Sequence, residues 1–82
     1  MAEIEKYALV TVECGDGTAV DIKVDRNLSM KRIIKNLFLS LNKDTRIVHG
    51  FYVKARLSGK LLSQNDTLKE FDIYDGEILN IL

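Results

Sequence analysis

Few side chains in this 82-residue chain are suited to covalent or metal chemistry: one cysteine, Cys14, one histidine, His49, and twelve carboxylates. A cysteine nucleophile needs a base within hydrogen-bond reach and a third group to orient that base. Cys14 and His49 fall in different loops, and nothing in the spacing joins them. Zinc requires about four ligands at characteristic intervals, a count that one cysteine and one histidine do not meet. Carboxylate pairs need a cleft, and a chain this short has little room for a concave pocket. Gly15-Asp16-Gly17 has no strand–glycine loop–helix setting, so it is a turn and not a phosphate cradle. The expectation is no catalytic, metal-binding or cofactor-binding residue and no enzyme activity. Cys14 then serves as a small residue at a strand end, and His49 as a loop residue.

With chemistry set aside, the surface carries the function. Formal net charge is zero, at 29% charged and 46% hydrophobic residues, which suits a globular chain and argues against disorder. The charges are sorted. Residues 26–60 hold Arg26, Lys31, Arg32, Lys35, Lys43, Arg46, Lys54, Arg56 and Lys60 against Asp44 alone, between two acidic segments. Such sorting steers partners, whereas nucleic-acid binders usually show a basic excess over the whole domain. No apolar run approaches the roughly 20 residues of a membrane span, and the start Met-Ala-Glu-Ile-Glu-Lys is not a signal peptide. A lone cysteine fits a reducing cytosol. Without proline, repeats or a linker, residues 1–82 are expected to form one domain, located in the cytoplasm.

The elements that position the surface follow from hydrophobic period. Ala8, Val10 and Val12 alternate with Tyr7, Leu9, Thr11 and Glu13. After the glycine-rich turn, Val20, Ile22 and Val24 alternate with Ala19, Asp21 and Lys23. Together these make an antiparallel hairpin with one buried face. Met30, Ile33, Ile34, Leu37, Phe38 and Leu41 then follow the spacing of an amphipathic helix. Ser29 is its N-cap, Leu28 a staple against Ile33, and Asn42 its end. Lys31, Arg32 and Lys35 fall on its wet face, with Leu39 also off the apolar stripe. Residues 43–50 read as a loop or a ragged extra turn. Phe51, Val53, Ala55 and Leu57 are expected inward, with Tyr52, Lys54 and Arg56 outward. A Ser58-Gly59 turn, a short strand and a helical turn at Thr67–Phe71 capped by Asp66 follow. Asp75-Gly76 then reverses the chain into a last strand, where Glu77, Leu79 and Ile81 alternate with Ile78, Asn80 and Leu82.

This order predicts an α+β fold: a mixed five-stranded sheet with one long helix across one face, the last strand parallel to the first, Leu9–Thr11 against Leu79–Ile81. Its outer face carries Tyr52, Lys54 and Arg56 beside Leu9, Asn80 and Leu82. Aromatic and arginine residues together are typical interface anchors, although an antiparallel sheet also commonly leaves one face simply wet.

The element order resembles the β-grasp of ubiquitin. Ala8 to Leu37 and Lys54 to Leu82 line up with it without gaps, including Leu-Ser-Gly-Lys-Leu-Leu and Thr-Leu-Lys-Glu-Phe-Asp-Ile. A closer resemblance is to the YukD/EsaB family of ubiquitin-like proteins of bacterial type VII (WXG100) secretion systems, carried by Leu-Leu-Ser-Gln-Asn-Asp and Asp-Gly-Glu-Ile-Leu. The resemblance implies a cytoplasmic accessory protein that binds a cytosolic domain of a secretion component, either the membrane-anchored pseudokinase-like subunit or the ATPase. Two departures from ubiquitin bear on this. The sequence ends at Leu82 with no Gly-Gly tail, which disfavours the alternative of a protein modifier or sulfur carrier. The positions of ubiquitin's apolar recognition patch are Gly15, Arg56, Asn80 and Leu82, so a charge replaces an aliphatic anchor. Lys60 stands where ubiquitin carries a chain-linking lysine. A third possibility is an adaptor that binds an anionic surface through the 26–60 basic excess, which added salt would abolish.

Overall fold

The computed structural model describes residues 6–44 and 50–82. Arg46 and His49, with most of the 43–50 segment, lie outside them. Strands β1 (Tyr7–Glu13) and β2 (Ala19–Asp25) form the expected hairpin. Its turn works because Gly15 and Gly17 sit at φ +85° and +92°, and Asp16 Oδ1 accepts the Thr18 amide at 3.0 Å. Helix α1 (Met30–Ser40) starts at Ser29, whose hydroxyl accepts the Arg32 amide at 3.3 Å. It ends in a Schellman arrangement, with the Lys43 amide on Phe38 O, the Asn42 amide on Leu39 O, and Asn42 at φ +58°.

After the crossover come β3 (Tyr52–Ala55), β4 (Lys60–Ser63) and β5 (Ile78–Ile81). The sheet runs β2-β1-β5-β3-β4, with β5 parallel to β1 and all other pairs antiparallel. This is the ubiquitin-like α+β frame. Ala8, Val10, Val12, Val53, Ala55, Leu62 and Leu79 cover the inner face and meet Met30, Ile33, Ile34, Leu37 and Phe38 of α1. Each fully buried Val, Leu, Ile, Phe or Met among them is worth about 1.5–3 kcal/mol, so these two stripes carry the fold.

Four expectations need correction. Leu57 is not inward. β3 stops at Ala55, where Gly59 N–H returns to the Ala55 carbonyl at 2.8 Å, and the resulting turn leaves Leu57 69% exposed. The β1–β5 register is also different: Ile78 stands opposite Thr11 and Leu79 opposite Val12. Leu9 is held instead by the preceding reversal, its amide on Asp75 Oδ1 at 2.8 Å and its carbonyl on the Gly76 amide at 2.9 Å.

Asp66 does not cap the turn that follows it. It accepts the amide and hydroxyl of Ser63, at 2.8 and 3.1 Å, while Thr67 and Glu70 form a reciprocal capping box. Finally, Arg26 is no surface charge. It is 2% exposed, donates from Nε to the Ile73 carbonyl at 2.9 Å, and lays its guanidinium 4.1 Å from the Tyr74 ring centre.

Candidate protein-binding face

The face of the sheet opposite α1 is positioned by strand alternation alone. Residues paired across a ladder share a face, so the registers fix its neighbours. Lys54 lies opposite Asn80 on one side and Leu61 on the other, and Tyr52 lies opposite Ser63. The Leu82 amide donates to the Tyr52 carbonyl at 2.9 Å, which brings Leu82 alongside Tyr52. Tyr52, Lys54, Asn80, Leu82 and Leu61 therefore make one continuous patch. Tyr52, Leu61 and Leu82 each leave half or more of their surface exposed, with Lys54 among them. Leu61 escaped the sequence reading because β4 is too short for its alternation to be visible.

The other two expected members sit differently. Leu9 is 55% exposed on the same face, but level with Gly76, away from the Tyr52–Leu82 end. Its surroundings are Lys23, opposite it on β2, and Tyr7, over whose ring the Lys6 and Lys23 ammoniums stand at 5.4 and 5.0 Å. Arg56 lies beyond the end of β3 and reaches across β5, so that Nη1 contacts both Glu13 carboxylate oxygens, at 2.9 and 3.0 Å. It is thus a partnered cation at the rim and not an unpaired anchor. With both ends largely in water this bridge is worth about 0–1 kcal/mol.

The remaining cations are dispersed. Lys43 pairs with Asp16, and Lys60 donates to the Phe71 carbonyl. The hydrogen bond from Lys43, with those from Thr18, holds the Asp16 carboxyl far below the usual carboxylate range. Lys31, Arg32 and Lys35 are exposed on α1 as expected. With Arg26 buried, the basic segment read from sequence is not one surface. Cys14 is half-buried beside Asp16 and Lys43; burial and then the Asp16 charge push its thiol up, against the pull of Lys43. A raised thiol is a poor nucleophile. Among the described residues no three His, Cys, Asp or Glu side chains are grouped to hold a metal, and no helix is long and apolar enough to cross a membrane.

A further group was missed by sequence reading. Glu77, 6% exposed, receives the amides of Leu57, Ser58 and Ile78 at 2.8, 3.1 and 2.9 Å. Burial pushes its carboxyl up, but the combined hydrogen bonds outweigh that and hold it below the ordinary value. It ties the β3–β4 turn to β5 and thereby sets where the outer face ends.

A protein-family model described as "WXG100 protein secretion system (Wss), protein YukD" matches residues 7–81. The chain belongs to the YukD family. That match spans every strand and the helix, so this YukD-family protein is a ubiquitin-like, secretion-associated protein. No match is found among curated proteins. Solved structures agree on the fold. The ubiquitin-like domain of Arabidopsis thaliana protein At2g32350 superposes with a TM-score of 0.70 at 17% identity, covering 94% of this chain and 77% of that one. The UBL domain of Plasmodium falciparum Dsk2 gives 0.67 at 13% identity, over 92% and 95%. A designed protein based on ubiquitin gives 0.71 at 16%, over 94% and 88%.

Proposed function

We propose that this YukD-family protein is a non-enzymatic, non-conjugated adaptor that binds a cytosolic domain of a WXG100 secretion component. The partner is the membrane-anchored pseudokinase-like subunit or the ATPase, and the adaptor works on the cytoplasmic side. The observation that carries the reading is the patch Tyr52, Leu61 and Leu82 around Lys54 and Asn80, on a sheet face that no element among the described residues covers. An aromatic and two leucines exposed side by side cost solvation, and a partner that excludes water from them recovers about 25 cal/mol per Å². Lys54 at the centre suits an acidic group on the partner. Arg56, Glu13 and the more distant Leu9 form the rim, where charges set encounter rate more than affinity.

The test is pull-down of secretion components, with substrate secretion, from cells carrying Tyr52→Ala, Leu61→Ala or Lys54→Glu. Each variant should stay folded, since surface substitutions usually change stability by less than about 0.5 kcal/mol. Folded variants that bind and secrete normally would refute the patch. Loss on changing Lys31, Arg32 and Lys35 instead would move the contact to α1.

A further inference from the structure

Among the described residues β2 is an outer strand of the sheet, paired on one side only, by β1. All seven of its residues pair in unbroken register, so no bulge interrupts it. In an antiparallel ladder alternate residues aim their N–H and C=O groups at the partner. The bonds at either end of the hairpin, from the Cys14 amide to Thr18 O and from the Arg26 amide to Lys6 O, set that phase. They turn Val20, Ile22 and Val24 toward β1 and leave the backbone of Asp21 and Lys23 directed outward. Neither backbone has a partner among the described residues. Asp25 also faces out, but the Leu28 amide occupies its carbonyl at 3.2 Å.

Protein edges of this length are commonly protected by lysine or other edge charges, or by proline, a bulge or an inward-pointing charge. β2 has no proline, bulge or inward charge, and its one lysine, Lys23, has the carboxylate of Asp21 two residues away on the same face. Its charges, Asp21 and Lys23, stand on the solvent face, and Val20 and Ile22 on the helix side are only half-buried. Beside them runs a groove of about 230 Å³ between β2 and α1, lined by Ile22, Val24, Leu28, Ile33 and Leu37. The opposite edge, β4, is four residues long and offers much less.

We propose that β2 pairs with β2 of a second copy of this chain, antiparallel about a two-fold axis at Ile22. This register sets each Asp21 directly opposite Lys23 of the other copy, where the two backbones exchange N–H···O bonds and the side chains carry opposite charge. A shift by one ladder step either way brings Asp21 onto Asp21 or Lys23 onto Lys23, and like charges directly opposite are destabilising. The sequence of the edge therefore selects one register of self-pairing. Asp21 accepts the Thr11 hydroxyl on Oδ1. Pairing covers Val20, Ile22 and the groove, joins two sheets into one, and leaves Tyr52, Lys54 and Leu82 open toward the far edge. One strand pair buries less than a standard interface, so the dimer is weak and its population follows concentration.

Sedimentation equilibrium of the full chain, from about 10 μM to about 1 mM, reads the association directly. The expected result is reversible monomer–dimer exchange. Lys23→Asp alone, or Asp21→Lys alone, sets like charges across both pairs and should weaken the dimer roughly tenfold. The double variant Asp21→Lys/Lys23→Asp restores opposite charges and should recover dimerisation, with circular dichroism confirming that all three remain folded. A wild-type monomer throughout the range overturns the proposal. So do single variants that dimerise like the wild type, or a folded double variant that fails to recover.

Discussion

Replacing Glu77 with glutamine is the sharpest test of how the turn regions are held. The wild-type carboxylate accepts the amides of Leu57, Ser58 and Ile78, with Oε1 taking two of them and Oε2 the third. A glutamine keeps one acceptor oxygen and sets an NH₂ donor against an N–H donor. Hydrogen bonds to a charged group contribute about 1.5–3 kcal/mol each. Leu57 and Ser58 lie in an exposed turn, however, where water replaces a lost partner. The net cost of Glu77→Gln at pH 7 is therefore about 2 kcal/mol, and Glu77→Ala should cost somewhat more.

Because the folded-state pKa of Glu77 is depressed, its contribution is fully present above the ordinary glutamate pKa and is lost as pH falls through the folded value. Urea unfolding of both proteins at pH 7 and at about pH 3 measures this, and the gap between them should shrink in acid. An equal gap at both pH values, or one below about 0.5 kcal/mol at pH 7, would refute the argument.

Other outcomes follow from the same geometry. Leu37→Ala removes a buried side chain of α1 and should cost about 2–5 kcal/mol in urea unfolding. Arg26→Met keeps the aliphatic length but loses the bond to Ile73 O and the stack on Tyr74; it should cost about 1–3 kcal/mol and loosen amide exchange around residues 68–74. Glu70→Ala breaks the reciprocal cap with Thr67, at about 0.5–2 kcal/mol, whereas an Asp66 substitution should leave that turn's exchange unchanged. The Cys14 thiol, raised by burial and by Asp16, should alkylate more slowly at pH 8 than an unstructured peptide cysteine. A rate equal to the peptide's would refute its burial.

Element type and order were legible because they rest on period, which one-residue errors do not disturb. The first hairpin and the helix follow directly from alternation and from the Met30–Leu41 stripe. Side-chain captures of backbone amides were not legible, and they set the details that differ. Asp75 takes the Leu9 amide and with it the β1–β5 register, since a parallel pair has no tight turn to fix its offset. Glu77 takes the Leu57 amide, and a leucine expected inward is carried out to solvent. Thr67 and Glu70 did carry a readable signal, the T-x-x-E spacing of a capping box, but Asp66 in front of it looks equally like a cap. Nothing in the residue type of Arg26 separates a buried, stacked guanidinium from a solvated one. Only the closure of the 68–74 turn over it does.

The same distinction shapes the proposed binding surface. Tyr52, Lys54, Asn80 and Leu82 were placed together by alternation and lie together, whereas Leu9 shares their face at a distance and Arg56 reaches across β5 to Glu13, beside Asn80. Arg56 is linked to Glu13 across β5, so a partner that meets this face finds the guanidinium already neutralised. Lys54 has no such partner among the described residues. Attraction for an acidic surface should therefore centre on Lys54, with the apolar area of Tyr52, Leu61 and Leu82 beside it. Ubiquitin-like folds superpose on this chain at 13–17% identity, so the frame tolerates almost any surface. The proposed recognition therefore rests on the side chains that the frame leaves uncovered, of which Tyr52, Leu61 and Leu82 lie together at one end of the outer face and Tyr7 and Leu9 at the other.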